Sequence, residues 1–125
     1  MSEIKWLPKE AVLAMHARQL AEHGGGTGIR DMGLLDSALQ RPLNKHAYES
    51  PDSADLAAAY AIAISQGHCF NDANKRTAFR AMQAVLEGNG IACPLTATDI
   101  GPVIIRAAQR LLDEGELAHW LRQRL

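Results

Sequence analysis

A chain of 125 residues, 47% of them hydrophobic, is the size of one domain, here taken as residues 1–125, with a modest core of its own. Thirteen basic side chains against fourteen acidic ones leave a net charge of −1, which argues against a protein that coats nucleic acid or a membrane surface. The opening MSEIKWLPKE lacks a signal-peptide core, and no run approaches the roughly 20 apolar residues of a membrane span.

The two cysteines, Cys69 and Cys93, lie far apart, and neither C-x-x-C nor H-E-x-x-H occurs. They read as free thiols of a reduced, cytoplasmic protein without a zinc site.

Apolar spacing predicts helices almost throughout. The first runs from near Pro8 to His23 with Val12, Met15, Ala17 and Leu20 inward, and GGGTG at 24–28 stops it. Those glycines lack the G-K-[ST] ending of a phosphate loop and follow a helix, so they read as a connector. Asp31 caps a second helix with Leu34, Leu35, Ala38 and Leu39 inward and Pro42 just past its end. A polar loop, 43–51, follows with His46, Tyr48 and Glu49.

The third helix, Ser53 to Gln66, carries LAAAYAIAI, apolar on nearly every side, and is the expected central helix. A fourth starts near Asn74, buries Phe79, Met82, Val85 and Leu86, and stops at Gly88-Asn89-Gly90. IACPL at 91–95 reads as a short extended link. Thr98 or Asp99 caps a fifth helix, with Pro102 in its first turn. Ile100, Val103, Ile104, Ala107, Ala108, Leu111 and Leu112 are spaced along its buried face, and Gly115 breaks it. A last short helix carries Leu117, Trp120 and Leu121. The expectation is an all-α, compact bundle of about six helices.

The chemistry concentrates in GHCFNDANKRTAF, residues 67–79, between the third and fourth helices. This loop feeds a helix N-terminus, where free N–H groups and the positive end of the dipole favour anions, phosphate above all. Lys75 and Arg76 sit where a cation is disfavoured by about 0.3–1 kcal/mol. Either they bend into water or onto acids, or an anionic ligand reverses the sign; Lys then supplies a point charge and Arg a planar fork. Asp72 is a loop acid or a carboxylate that holds magnesium beside phosphates. His68 is a histidine at a helix C-terminus or a base for a hydroxyl, since an imidazole exchanges its proton near neutral pH. Phe70 reads as a buried anchor, and Asn74 as a cap that also shapes the loop. Together these groups make a phosphoryl or nucleotidyl transfer set.

At these residues the chain resembles the Fic/Doc (Fido) family, whose general motif is H-P-F-x-[DE]-G-N-G-R. Here His68 to Arg76 read H-C-F-N-D-A-N-K-R, and the ending through Thr77-Ala78 resembles the Doc branch, the death-on-curing toxins of toxin–antitoxin pairs. GGGTGIRDMGLLDSALQRP resembles the segment such proteins carry upstream, and the length and helical layout match a minimal Fido domain.

The resemblance implies His68 as catalytic base, Phe70 as anchor and Asp72 as magnesium acid. It makes Ala73, Asn74 and the start of the fourth helix the phosphate-binding turn, with Arg76 on phosphate; Lys75 and Thr77 complete the expected nucleotide-binding turn, and Lys75, as a charge stabiliser, joins the catalytic set. Cys69 replaces a proline. Ala73 replaces a glycine, so its backbone is expected to avoid positive φ. Lys75 replaces a second glycine that, in nucleotidylating members, lets the backbone approach phosphates. Where the general pattern has a further arginine, this chain has Phe79, with Arg80 next. The departures weigh against AMP transfer, and the resemblance to the Doc branch implies an ATP- and Mg2+-dependent kinase that presents the γ-phosphate to a Ser or Thr hydroxyl of a translation factor, elongation factor Tu in this branch.

An inhibitory [ST]-x-x-x-E-[GN] helix is not matched: Gln83 precedes Glu87-Gly88 and Arg110 precedes Glu114-Gly115. A separate antitoxin protein is therefore the implied inhibitor. AMP transfer on the same scaffold, or a catalytically inactive partner-binding domain, are the alternatives. Direct nucleic-acid binding is not expected. Arg30, Asp31, Tyr48 and Glu49 are candidates for a substrate-docking rim.

Overall fold

The computed structural model describes residues 4–26, 28–48 and 51–125. Among them the chain is all-α, a compact Fido-type bundle of six helices: α1 (Lys9–His23), α2 (Met32–Tyr48), α3 (Ser53–Gly67), α4 (Asn74–Gly88), α5 (Ala97–Ala108) and α6 (Glu114–Arg122). The sole β feature among the described residues is an isolated antiparallel bridge between Ile29 and Phe70.

α3 is the central helix, as its composition demands. It packs against α2, α4, α5 and α6, and every residue from Leu56 to Ser65 is buried. Its alanines admit neighbours closely, while Leu56, Tyr60, Ile62 and Ile64 fill the gaps; burying each such large side chain is worth about 1.5–3 kcal/mol. The helix starts at a capping box, with Asp52 accepting from the Asp55 N–H and Asp55 accepting from the Asp52 N–H. Arg122 of α6 then lays its guanidinium on both carboxylates, fastening the last helix to the start of the central one.

α4 ends where the glycine stop predicted. The Asn89 amide accepts from the Lys5 N–H at 2.9 Å and donates to the Val85 carbonyl at 2.8 Å, while Gly90 turns at φ 85°.

Several expectations need correction. α2 does not stop before Pro42 but runs six residues beyond it, to Tyr48. Pro42 is buried, and the turns after it are held from outside: Glu114 lies 3.6 Å from Arg41 and 3.8 Å from Lys45, and His46 packs edge-on against Trp6. α5 is capped by Thr96, not Thr98 or Asp99. Thr96 and Asp99 form a reciprocal capping box, which puts Pro102 in the second turn. α5 ends at Ala108, because Arg110 adopts φ 63° and swings Leu111 outward to 64% exposure. Gly115 breaks nothing: it sits in the first turn of α6 behind the Asp113 cap. On α2, Leu34 is exposed rather than inward.

On α1, Ala17 faces solvent; the inward positions are Val12, His16 and Gln19. Two polar residues thus sit on the buried side of the helix that packs against α4.

Candidate functional site

The loop between α3 and α4 departs from α3 through His68, which caps the helix in the left-handed region at φ 50°, ψ 35°. It enters α4 through a second left-handed residue, Ala73, at φ 65°, ψ 24°. The expectation that Ala73 avoids positive φ is therefore overturned; the turn keeps the shape a glycine would give and strains an alanine by about 1–2 kcal/mol to do so. Ala73, not Asn74, is also the N-cap of α4.

Three elements hold the loop in this form. The first is the bridge to Ile29. Arg30 donates to the Cys69 carbonyl at 2.8 Å, and Asn71 donates to the Gly28 carbonyl at 3.4 Å. Those bonds flank the Ile29–Phe70 pair, so the N–H and C=O of Phe70 face the other way. The Asn74 side chain meets both: its Oδ1 accepts from the Phe70 N–H at 3.2 Å and its Nδ2 donates to the Phe70 carbonyl at 3.1 Å. An amide side chain thus takes the place of a neighbouring strand. The second element is the Phe70 ring, buried at 1% exposure beneath the loop. The third is His16 of α1, whose ring stacks on that of Phe70 with centroids 3.8 Å apart and planes 8° from parallel.

Asp72 is exposed, and its carboxylate titrates below its ordinary value. The main cause is the Ala73 N–H, 2.7 Å from Oδ1; the Gly26 N–H at 3.3 Å from Oδ2 comes next, and Arg76 and Lys75 add smaller contributions. The glycine run is more than a connector here. A Cβ on Gly25 would fall 2.5 Å from Asp72 Oδ2, and Gly25 turns at φ 126°, so only glycine fits against this carboxylate. Gly24 accepts a 3.3 Å hydrogen bond from Arg76.

The start of α4 stands apart from those of α3, α5 and α6, each of which closes with a capping box. No side chain caps α4, and its first turn holds no acid, only Lys75 and Arg76. His68, Asp72, Asn74, Lys75 and Arg76, with Ser65 behind them, line one open cavity of about 350 Å³. Thr77 does not line it: it is fully buried, and its hydroxyl has no hydrogen-bond partner among the described residues. Lys75 and Arg76 also border a second, apolar groove of about 250 Å³ floored by Phe79 of α4 and by Ile100, Ile104 and Ile105 of α5. Cys69, beside the base candidate, is buried, and burial pushes its thiol up, away from the reactive thiolate.

Among the described residues no group of three or more His, Cys, Asp or Glu could hold a metal ion. A cation at Asp72 would therefore share its coordination with ligand oxygens. A single exposed carboxylate, kept ionised and set beside an anion-favouring helix end, fits magnesium held together with phosphates.

Of the rim candidates, Arg30 and Asp31 adjoin the loop through their N–H groups on the Cys69 carbonyl. Tyr48 stands at the far end of α2, roughly 24 Å along the helix at ~1.5 Å per residue. Glu49 lies outside the described residues. His16 and Gly25 are the contributors that reading the loop by itself misses. For His16 the available signal is a histidine at an inward position of α1, four residues after Val12.

The model of the Fic/DOC family matches residues 6–86, a span that takes in α1 to α3, the whole loop and all but the last two residues of α4. The chain is 29% identical over 121 residues to the protein kinase doc of Escherichia phage P1, covering 96% of this chain and 95% of that protein. It is 38% identical over 91 residues to the toxin Doc of Mycolicibacterium smegmatis, covering 70% and 66% respectively. The chain is a Doc-like member of the Fic/DOC family.

Proposed function

We propose that this chain, a single domain over residues 1–125, is a Doc-type toxin that moves the γ-phosphate of ATP to a Ser or Thr hydroxyl of a translation factor of the elongation factor Tu kind. It would act in the cytoplasm, arrest growth there, and be restrained by a cognate antitoxin. The observation that carries this reading is the uncapped, cation-flanked start of α4 opening into the cavity that His68 and Asp72 also line. The phage relative's being a protein kinase supports phosphoryl transfer over nucleotidyl transfer.

In this reading His68, exposed at the cavity edge, takes the proton from the acceptor hydroxyl. The hydroxyl oxygen then attacks the γ-phosphorus, the bond from that phosphorus to the bridging oxygen breaks, and ADP leaves. The N–H groups of the first turn of α4, with Lys75 and Arg76, stabilise the charge on the transferred group. Asp72 would hold magnesium, which when bound neutralises phosphate charge. Lys75, standing at the turn with its full side chain, crowds the approach that an AMP-transferring site leaves open to the α-phosphate.

The apolar groove between α4 and α5 touches the same two cations, so an antitoxin segment bound there would reach the nucleotide site. Helices of the described residues are all too short or too polar to cross a membrane.

The test is incubation with purified elongation factor Tu and either γ-labelled or α-labelled ATP. Label should transfer from the γ position only, and His68→Ala or Asp72→Ala should abolish it while the far-UV spectrum stays unchanged. Transfer from the α position would establish AMP transfer instead, and undiminished transfer by either variant would remove that residue from its role.

A further inference from the structure

His16 belongs to the loop's machinery although it is 56 residues away in sequence and on another helix. It is 5% exposed, yet it is a polar residue on the buried face of α1. Its Nε2 lies 2.9 Å from the backbone carbonyl oxygen of Asp72. A carbonyl only accepts, so Nε2 carries the proton and donates. That carbonyl belongs to the peptide joining Asp72 to Ala73, and the N–H of the same peptide donates to Asp72 Oδ1 at 2.7 Å. The peptide plane is thus held at both ends, by α1 on one side and by the loop's own carboxylate on the other.

The orientation of this plane decides two things at once. It sets Ala73 in the left-handed region, which an alanine does not favour, and so sets the direction from which α4 starts. It also aims the Asp72 carboxylate, whose Oδ1 is bound to the far side of the same plane. If the carbonyl is released, the plane can turn, Ala73 can relax to negative φ, and both the carboxylate and the helix mouth move. The stack on Phe70 fixes the imidazole so that the donor cannot swing away.

We propose that His16 is a positioning residue for the catalytic turn: by donating to the Asp72 carbonyl it fixes the Asp72–Ala73 peptide and thereby the aim of the Asp72 carboxylate and the open start of α4. The inference rests on the functional reading above for its effect on catalysis, but its structural half stands without it.

Two variants separate the donor from the ring. His16→Phe keeps a flat ring over Phe70 and removes the donor; His16→Gln keeps an N–H donor of similar reach and removes the ring. The Ala73 amide, followed by 15N NMR in the protein without nucleotide, reports the turn directly. Calorimetry with magnesium and ATP, and γ-phosphate transfer, report its use.

His16→Phe is expected to shift the Ala73 resonance, speed its hydrogen exchange, and weaken magnesium-ATP binding and turnover about 10–100-fold, the usual cost of losing a group that orients a metal ligand. His16→Gln should recover most of each. An unshifted Ala73 amide with full binding in His16→Phe overturns the inference. So does the reverse order, with His16→Phe active and His16→Gln impaired, since the ring alone would then matter. If the wild-type chain transfers no phosphate, the functional reading fails, while the Ala73 comparison still decides the role of His16.

Discussion

Asn74→Ala should be among the most damaging single truncations outside the apolar core. Its amide holds the N–H and C=O of Phe70 at 3.2 and 3.1 Å, on the side of that residue turned away from the Ile29 bridge. Two net hydrogen bonds are worth about 1 kcal/mol each, and stranding their partly buried partners raises the loss to about 2–4 kcal/mol. The loop cannot escape this by peeling off, because Phe70 is 1% exposed and stacked on His16; detaching it uncovers an aromatic ring. With each kcal/mol worth about 4 °C in a domain of this size, the melting temperature should fall by about 8–16 °C. Asn74→Asp is nearly isosteric. It keeps the acceptor but sets a carboxylate oxygen against the Phe70 carbonyl, and should recover less than half of the loss. Thermal melts by circular dichroism, with hydrogen exchange at the Phe70 amide, measure both. An alanine variant that melts within about 2 °C of wild type, its Phe70 amide still protected, would refute the idea that this side chain stands in for a strand.

Two further outcomes follow from the polar groups of the bundle. Arg122 holds Asp52 at about 2, chiefly through its hydrogen bond, against an ordinary carboxylate near ~3.9. A depressed carboxylate stabilises the fold above its unfolded value and loses that contribution as the pH falls through the folded one. Because the side chains are 42% and 55% exposed, the worth of the pair is discounted to about 1 kcal/mol. Arg122→Met should therefore melt about 4 °C lower at pH 7, and the gap should close between about pH 4 and pH 2; a constant gap in melts across that range would show that packing, not charge, is lost. Thr77→Val removes a buried hydroxyl without a partner among the described residues, so it should leave stability unchanged or raise it by up to about 1 kcal/mol. It should also leave ATP affinity intact in a calorimetric titration; weakened binding would return Thr77 to the nucleotide-binding turn where its position in the motif put it.

The helices that build the core were readable because their signals are local. α3 is apolar on all sides, and α4 carries a stripe ended by a glycine pair around Asn89. Where the reading failed, a distant contact or an unlooked-for cap decided the matter. Pro42 would end an isolated helix, but α2 continues because Glu114 of α6 draws Arg41 and Lys45 together and Trp6 supports His46. At α5 the local signal is present in Thr96-x-x-Asp99, where Asp99 is the N3 partner of the capping box and not the cap itself. The candidate site divides the same way. His68, Asp72, Lys75 and Arg76 fall within nine residues, so their chemistry could be recognised as a unit, and they do line one cavity. His16 and Gly25 reach the same loop from α1 and the turn after it, and nothing in the loop's own sequence points to them.

Helix α4 begins in a way that stability alone does not explain. A cap of the kind that α3, α5 and α6 possess contributes about 0.5–2 kcal/mol, and this helix has none. Each of its two leading cations opposes the dipole, and both ends of the loop before it are left-handed at residues with a Cβ. All of these costs fall within ten residues, His68 to Thr77. The compensating contacts are the Phe70 ring and the His16 stack behind the loop, and the Asn74 clamp, whose amide is spent on the Phe70 backbone although the residue borders the cavity. Holding the loop from behind leaves its front polar and uncapped. An anion in the cavity would relieve the missing cap and the two misplaced cations together, so binding it should order and stabilise the start of α4 more than any other part of the chain.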